Sequence, residues 1–360
     1  MTFTIINYKI ENKGGIGMTK GDNYTKEIIK KILEEGTYDE NPRPHYNDGS
    51  KAYTISYNHG MTTYDLTKNE TPLITLRPIA VKSSIGELLW IYRDADNNIY
   101  NLEKKYGVRW WREWCINPMH YSNNGDLLIG KNPNDYFYYD AEGNICEIGE
   151  KSKNVDKKTD IDKNGNIIDP KLGNVLTKDA NLGYCYGGTI KEHNLFEKCK
   201  KGIKNDPFGR RHIINMWQDE DFSKKHGLKP CAFLTQWNVR KVNGDYYLYM
   251  FLTKRSNDFM AAGCINQTQY MVFLYMMARE LDLKPGRFTW FYNNIQIYDR
   301  HLEAAKELLN REPVECNPKV QIDENVKKMD DMNTDNVKIT DYPIDEIKKK
   351  NKQLKLEIAI

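Results

Sequence analysis

The dipeptide Asn243-Gly244 lies between two runs that alternate in character, and it constrains this chain more than any other feature. Upstream, Phe233, Thr235, Trp237 and Val239 occupy one face; downstream, Tyr246 to Thr253 returns as a second strand. Asn-Gly supplies the two left-handed residues that a tight hairpin turn needs, so the spacing predicts a β-hairpin. Cys231 stands at its mouth in Lys229-Pro230-Cys231-Ala232-Phe233, and Arg255-Ser256-Asn257-Asp258 ends the other strand. Paired strands are about 5 Å apart, so such a hairpin can bring a guanidinium to the thiol. A cation there stabilises the thiolate, the reactive form. A cysteine in an arbitrary hairpin is ordinarily buried and inert; the remaining motifs argue for the reactive reading.

The chain has 360 residues, enough for one large domain or two smaller ones. Apolar residues make up 39% and aromatics 12%, which supports a packed core and argues against wholesale disorder. The net charge of +3 gives no global reason to expect nucleic-acid or membrane binding. Seven cysteines without CxxC spacing point to a reducing compartment rather than a disulfide framework or zinc site, and no metal is expected. Neither a signal-peptide pattern nor a membrane-length apolar stretch is present, so a cytoplasmic protein is expected.

Ile28, Ile29, Ile32 and Leu33 fall at helical spacing within 24–35, with Gly36 as the stop. Tyr53 to Tyr57 and Leu73 to Val81 read as strands, and Ser83 to Tyr92 as a buried helix carrying Glu87. Gln267 to Leu281 is apolar nearly all round, the pattern of a core helix, and His301 to Asn310 is a further amphipathic helix. Residues 116–180 are rich in Asn, Asp, Gly and Lys and repeat a turn phrase at Asp140–Ile145 and Asp162–Ile167, which reads as an insertion of small strands. Within it, Asp160 to Ile167 matches the first half of a calcium loop, but Lys171 stands where the bidentate Glu belongs, so a turn is expected instead.

Several ordered motifs then converge: Glu87-Leu-Leu-Trp90, Trp111-Arg-Glu-Trp114, Leu182-Gly-Tyr-Cys-Tyr186-Gly187, Asn205-Asp-Pro with Arg210-Arg211, Pro230-Cys231, Arg255-Ser-Asn-Asp258, Asn266, Tyr298 and the terminal Ala359-Ile360. Together they resemble the classical folate-dependent thymidylate synthase family, in its bacterial and phage-like branch. The resemblance runs from about residue 24 to the end, leaving 1–23 as an N-terminal extension and 24–360 as a catalytic domain interrupted by 116–180.

The resemblance implies an α/β fold of the α+β type, with a large mixed β-sheet flanked by helices and a small β-rich insertion. It also implies an obligate homodimer, deoxyuridylate (dUMP) as substrate, and 5,10-methylenetetrahydrofolate as donor of carbon and hydride. Cys231 would add to C6 of uracil and turn C5 into a nucleophile. Arg255, with Ser256 and the partner subunit's copies of Arg210 and Arg211, would hold the phosphate; guanidinium forks suit that geometry. Asn266 offers a donor and an acceptor to the N3–H and O4 edge of uracil, a pattern that cytosine reverses. Tyr298 and Gln296 would meet the deoxyribose, and Asp258 the pterin. Trp111 and Trp114 would pack on the folate and exclude water. Glu87 and Tyr186 would organise proton transfers, and Ala359-Ile360 would close as a lid.

This chain departs from the family at Ala232 and Gln296, where His is common, and either Arg43 or Lys51 stands for the phosphate-loop arginine. Two other readings compete: a deoxyuridylate hydroxymethylase of the same fold, and a catalytically silent nucleic-acid-binding relative. The tryptophan pair disfavours the first, and the weak net charge with an intact Cys231 disfavours the second.

Overall fold

The fold is that of a computed structural model, and it is described for residues 18–46, 48–115, 180–224 and 228–359, with seven short strands between 119 and 176. The expected hairpin is formed by β4 (Ala232–Val242) and β5 (Asp245–Lys254), where β1 is Thr37–Tyr38, β2 Thr54–Asp65 and β3 His212–Asn215. At the turn, Asn243 has φ 51° and Gly244 φ 91°, the left-handed pair for which the dipeptide is suited. Beyond Lys254 the backbone breaks at Arg255-Ser256 and resumes as β6 (Asn257–Asp258); β5 and β6 both run parallel to β7 (Lys284–Tyr298). The sheet is mixed, in the order β1-β2-β7-β5-β4-β3 with β6 beside β7.

A parallel pair needs a crossover, and the helix Cys264–Glu280 supplies it between β6 and β7. Below this helix is called α3, with α1 for Lys20–Glu35 and α2 for Val81–Tyr92. Because α3 is apolar nearly all round, it sits in the core, with Trp237 meeting Phe273 edge-on at 5.2 Å and Tyr92 of α2 stacked on Phe273 at 4.0 Å. Trp90, Trp237, Phe273 and Trp290 are each at most 1% exposed. Burying Phe273 this completely stabilises the fold by roughly 1.5–3 kcal/mol. The first helix starts at Lys20 rather than 24 because Thr19 and Asp22 form a capping box.

Leu73 to Val81 is not a strand, although its apolar run resembles one. The segment bends at 75–77, is buried from Leu73 to Ile79 and passes into α2 at Val81, and its backbone is served by side chains instead of a ladder. Asp22 Oδ1 accepts from Thr75 N at 2.7 Å, Tyr342 donates to Ile74 O at 2.7 Å, and Asn351 donates to Thr75 O at 2.8 Å. Residues 116–180 do hold small strands, in a four-stranded and a three-stranded antiparallel sheet. Of the calcium-loop-like stretch only Ile167–Asp169 is described, as a strand; the rest lies outside the described residues.

Candidate active site

Cys231 immediately precedes β4 and is half-buried. Across the hairpin, Arg255 N donates to Cys231 O at 3.0 Å, and the guanidinium donates to Pro230 O at 3.0 Å and Lys229 O at 2.8 Å. The hairpin therefore seats a cation on the backbone beside the thiol. On the other side Cys231 N donates to Tyr186 Oη at 3.1 Å. Tyr186 is held at φ 48°, ψ −111°, an unfavourable conformation for a residue with a side chain, and its ring lies 5.3 Å from Trp111.

Glu87 projects from α2 and is 4% exposed. Its carboxylate accepts from Trp111 Nε1 at 2.6 Å, Trp110 Nε1 at 3.1 Å and Gln269 Nε2 at 2.5 Å. Burial pushes its pKa up to about 7, against the opposing pull of these donors and the Lys254 charge. Lys254, the last residue of β5, is 2% exposed; its Nζ donates to Asn257 Oδ1 at 2.8 Å and Asn266 Oδ1 at 2.5 Å. Burial lowers its pKa to about 8, while Cys231, Asp258 and Glu87 favour the charge and Arg255 opposes it. Asn266 Nδ2 in turn donates to Gln269 Oε1 at 2.8 Å.

The opposite wall comes from β6 and β7, where Asp258 pairs with Gln296. Burial pushes the Asp258 carboxyl up, countered by His301, Arg77 and Lys254, and Oδ1 accepts from Ala261 N at 3.1 Å. Gln296 Nε2 donates to Tyr298 Oη at 3.3 Å; burial raises the Tyr298 hydroxyl to about 12, with Arg43 acting in the other direction. Lys51 instead bonds Asn41 at 3.1 Å. Ser256 is half-buried beside Arg255. Trp114 lies 5.5 Å from Trp111, edge to face. The tail returns here: Ala359 packs on the cluster of Tyr46, Ala52 and Tyr298, and Arg300 pairs with Glu357 at 2.7 Å. Ile360 lies outside the described residues.

Arg210 and Arg211 behave differently. Both are exposed at the entry to β3, and neither has an ion pair or hydrogen bond with another described residue. Lys254, Gln269 and Trp110 were not anticipated from sequence. A signal for Lys254 was present: Leu248, Met250 and Leu252 point inward, so the two-residue period buries position 254 as well. Gln269 follows Asn266 by three residues, a spacing that places both on one helix face. Among the described residues no cluster of His, Cys, Asp and Glu could hold a metal, and no helix is long and apolar enough to cross a membrane.

A reachable thiol, a buried carboxyl and a buried ammonium on the rim of a mixed sheet define an enzyme of the α+β class. The family model for thymidylate synthase matches residues 22–358, and the chain belongs to the thymidylate synthase family. It is thus a methyltransferase. Similar proteins include the thymidylate synthase of Streptococcus sanguinis, 35% identical over 95% of this chain and all of the relative, and that of Streptococcus thermophilus, 34% identical with the same coverage. Among solved structures, the thermostable thymidylate synthase A from Bacillus subtilis shares the fold with a TM-score of 0.68 at 24% identity, covering 94% of this chain and 99% of that one.

Proposed function

We propose that this enzyme reductively methylates dUMP to dTMP, with Cys231 adding to C6 of the uracil ring. The observation that carries this reading is the half-buried Cys231 thiol, with the Arg255 guanidinium bonded to the two carbonyls before it and Tyr186 bonded to its own N–H. An unactivated uracil C5 is a poor nucleophile, and thiolate addition at C6 makes it an enolate carbon. Asn266 reads the N3–H and O4 edge and stabilises charge that develops on O4. Glu87 and Tyr186 handle the proton that C5 must lose. Arg255 and Ser256 hold the phosphate, joined by Arg210 and Arg211 of the partner subunit in a homodimer, and Arg43 completes the set. Tyr298 and Gln296 hold the deoxyribose. The catalytic unit is 24–360, with 116–180 as an insertion within it.

The residues present fit a reduced folate. Asp258 keeps an acceptor oxygen beyond the one that Ala261 uses, which suits pterin N–H groups, and Trp111 and Trp114 form an aromatic wall for a planar ring. When bound, 5,10-methylenetetrahydrofolate supplies the one-carbon unit and the hydride. Ala359, already packed near Tyr298, covers the site and keeps water out. The free thiols of Cys115, Cys185, Cys199, Cys231, Cys264 and Cys316 suit a reducing cytoplasm.

Incubating the enzyme with 5-fluoro-dUMP and methylenetetrahydrofolate tests the chemistry. A covalent ternary species by mass spectrometry is expected, with dUMP turnover yielding dihydrofolate by absorbance. Cys231→Ser should lose the adduct and about 10³-fold or more of the rate, as for other nucleophile replacements. Hydroxymethylated nucleotide without dihydrofolate, or full activity of Cys231→Ser, would overturn the reading.

A further inference from the structure

We propose that Lys254 is a specificity-determining positioning residue, which pins the Asn266 amide in the one orientation that accepts uracil and opposes cytosine. The inference rests on the reading above that Asn266 meets the pyrimidine of the substrate. Its basis is an unbroken chain of buried polar groups running from Lys254 through Asn266 and Gln269 to Glu87. An ammonium can only donate hydrogen bonds, and an ionised carboxylate can only accept them. With one such group at each end, every amide between them has a single allowed direction. Oxygens face the lysine end and NH₂ groups face the carboxylate end.

The observed bonds follow that rule. Asn266 turns Oδ1 to Lys254 Nζ at 2.5 Å and Nδ2 to Gln269 Oε1 at 2.8 Å, while Gln269 turns Nε2 to Glu87 at 2.5 Å. Flipping Asn266 by 180° would set NH₂ against NH₃⁺ and oxygen against oxygen, in a place where Lys254 is 2% and Gln269 3% exposed. Buried mismatches of this kind carry the full cost of unsatisfied polar groups. Lys254 is itself held by Asn257 Oδ1 at 2.8 Å, so the ammonium cannot simply swing away.

Once these internal bonds are made, Asn266 keeps one lone pair and one N–H for the base. In this orientation they match the N3–H and O4 of uracil. Cytosine presents an acceptor at N3 and a donor at N4, which an amide could satisfy only by flipping. An unrestrained asparagine could therefore read either base, and the donor-only lysine removes the second option. Lys254 is charged below about pH 8, with Cys231, Asp258 and Glu87 favouring and Arg255 opposing the charge, and Glu87 is ionised above about pH 7, so both ends of the restraint are in place between those values.

Calorimetric titration of dUMP and dCMP into wild type, Lys254→Gln and Lys254→Met at about pH 7.5, between the Glu87 and Lys254 values, tests this. Wild type should bind dCMP about 100-fold or more weakly than dUMP, as expected of a site built around specific hydrogen bonds. Both variants should reduce that ratio at least about tenfold, partly by binding dCMP more tightly. Glutamine keeps a polar side chain that can itself rotate, so Lys254→Gln decides the matter where Lys254→Met folds poorly. A ratio unchanged in the variants, including equal weakening of both nucleotides, overturns the assignment, because a merely structural lysine would act that way. A wild type with no preference for dUMP would instead overturn the functional reading on which the inference stands.

Discussion

Glu87 shows what a single buried group can impose on the reaction. Its carboxyl lies in an apolar helix yet accepts three donors, and burial outweighs them enough to bring its pKa up to about 7. The direction matters: burial disfavours the anion, so lowering the pH through 7 protonates Glu87 and takes away the acceptor that Gln269 and both tryptophans use. We therefore expect kcat/KM for dUMP, which reports the free enzyme, to fall below about pH 7 with unit slope. Glu87→Gln should remove that limb and lower the plateau by about 10²–10⁴-fold. An acid limb that survives in Glu87→Gln would assign it to another group. The sequence exposed Glu87 because a lone acid in an apolar helix stands out. It hid Lys254, because a lysine at the end of a strand reads as its solvated terminus until the register shows which way it points.

At the scale of elements, the site depends on how tightly segments approach one another. The turn into the helix Gly187–His193 carries Tyr186, whose left-handed φ of 48° costs on the order of 1–3 kcal/mol and is held by its surroundings. Gly187 explains part of that hold: a Cβ there would lie 1.9 Å from the Asp96 carbonyl oxygen, which is backbone and cannot step aside. Gly187→Ala should thus cost about 1–3 kcal/mol, read as a lower urea midpoint, and reduce turnover by displacing Tyr186 from the Cys231 N–H. A variant with unchanged midpoint and rate would contradict this packing argument. Elements of this kind were legible in proportion to how local their cause is. Asn243-Gly244 determines its own turn, and the periodicity of α3 declares a core helix. The stretch from Leu73 to Val81 was misread because its partners are distant side chains such as Asp22, Tyr342 and Asn351, which no local pattern reports.

Among the described residues, one sheet face is packed against the core helices and the other is not closed in the same way. Cross-strand register puts Ile213, Gln236, Phe251, Thr289 and Thr63 in one row, and Leu234, Thr253, Phe291 and Met61 in the next. Met61 is 60% and Ile213 42% exposed, and Phe251 stacks on Phe291 at 6.3 Å beside them. A face that mixes these apolar side chains with Gln236 and three threonines suits a self-complementary interface about a two-fold axis. The same pairing would give the exposed Arg210 and Arg211 a role that they lack within one chain, as phosphate ligands in the opposite site. Phe251→Lys should therefore yield an inactive monomer by sedimentation. A sharper check mixes two dead proteins, Cys231→Ser and Arg210→Ala, after joint unfolding and refolding. Half the dimers would be mixed, and one site in each would join an intact thiol to an intact partner arginine, so about a quarter of the wild-type rate should return. Recovery from mixing requires that one site be built from two chains. If the mixture stays inactive while both variants dimerise, Arg210 serves its own subunit, and the second face of the sheet must be explained without the catalytic site.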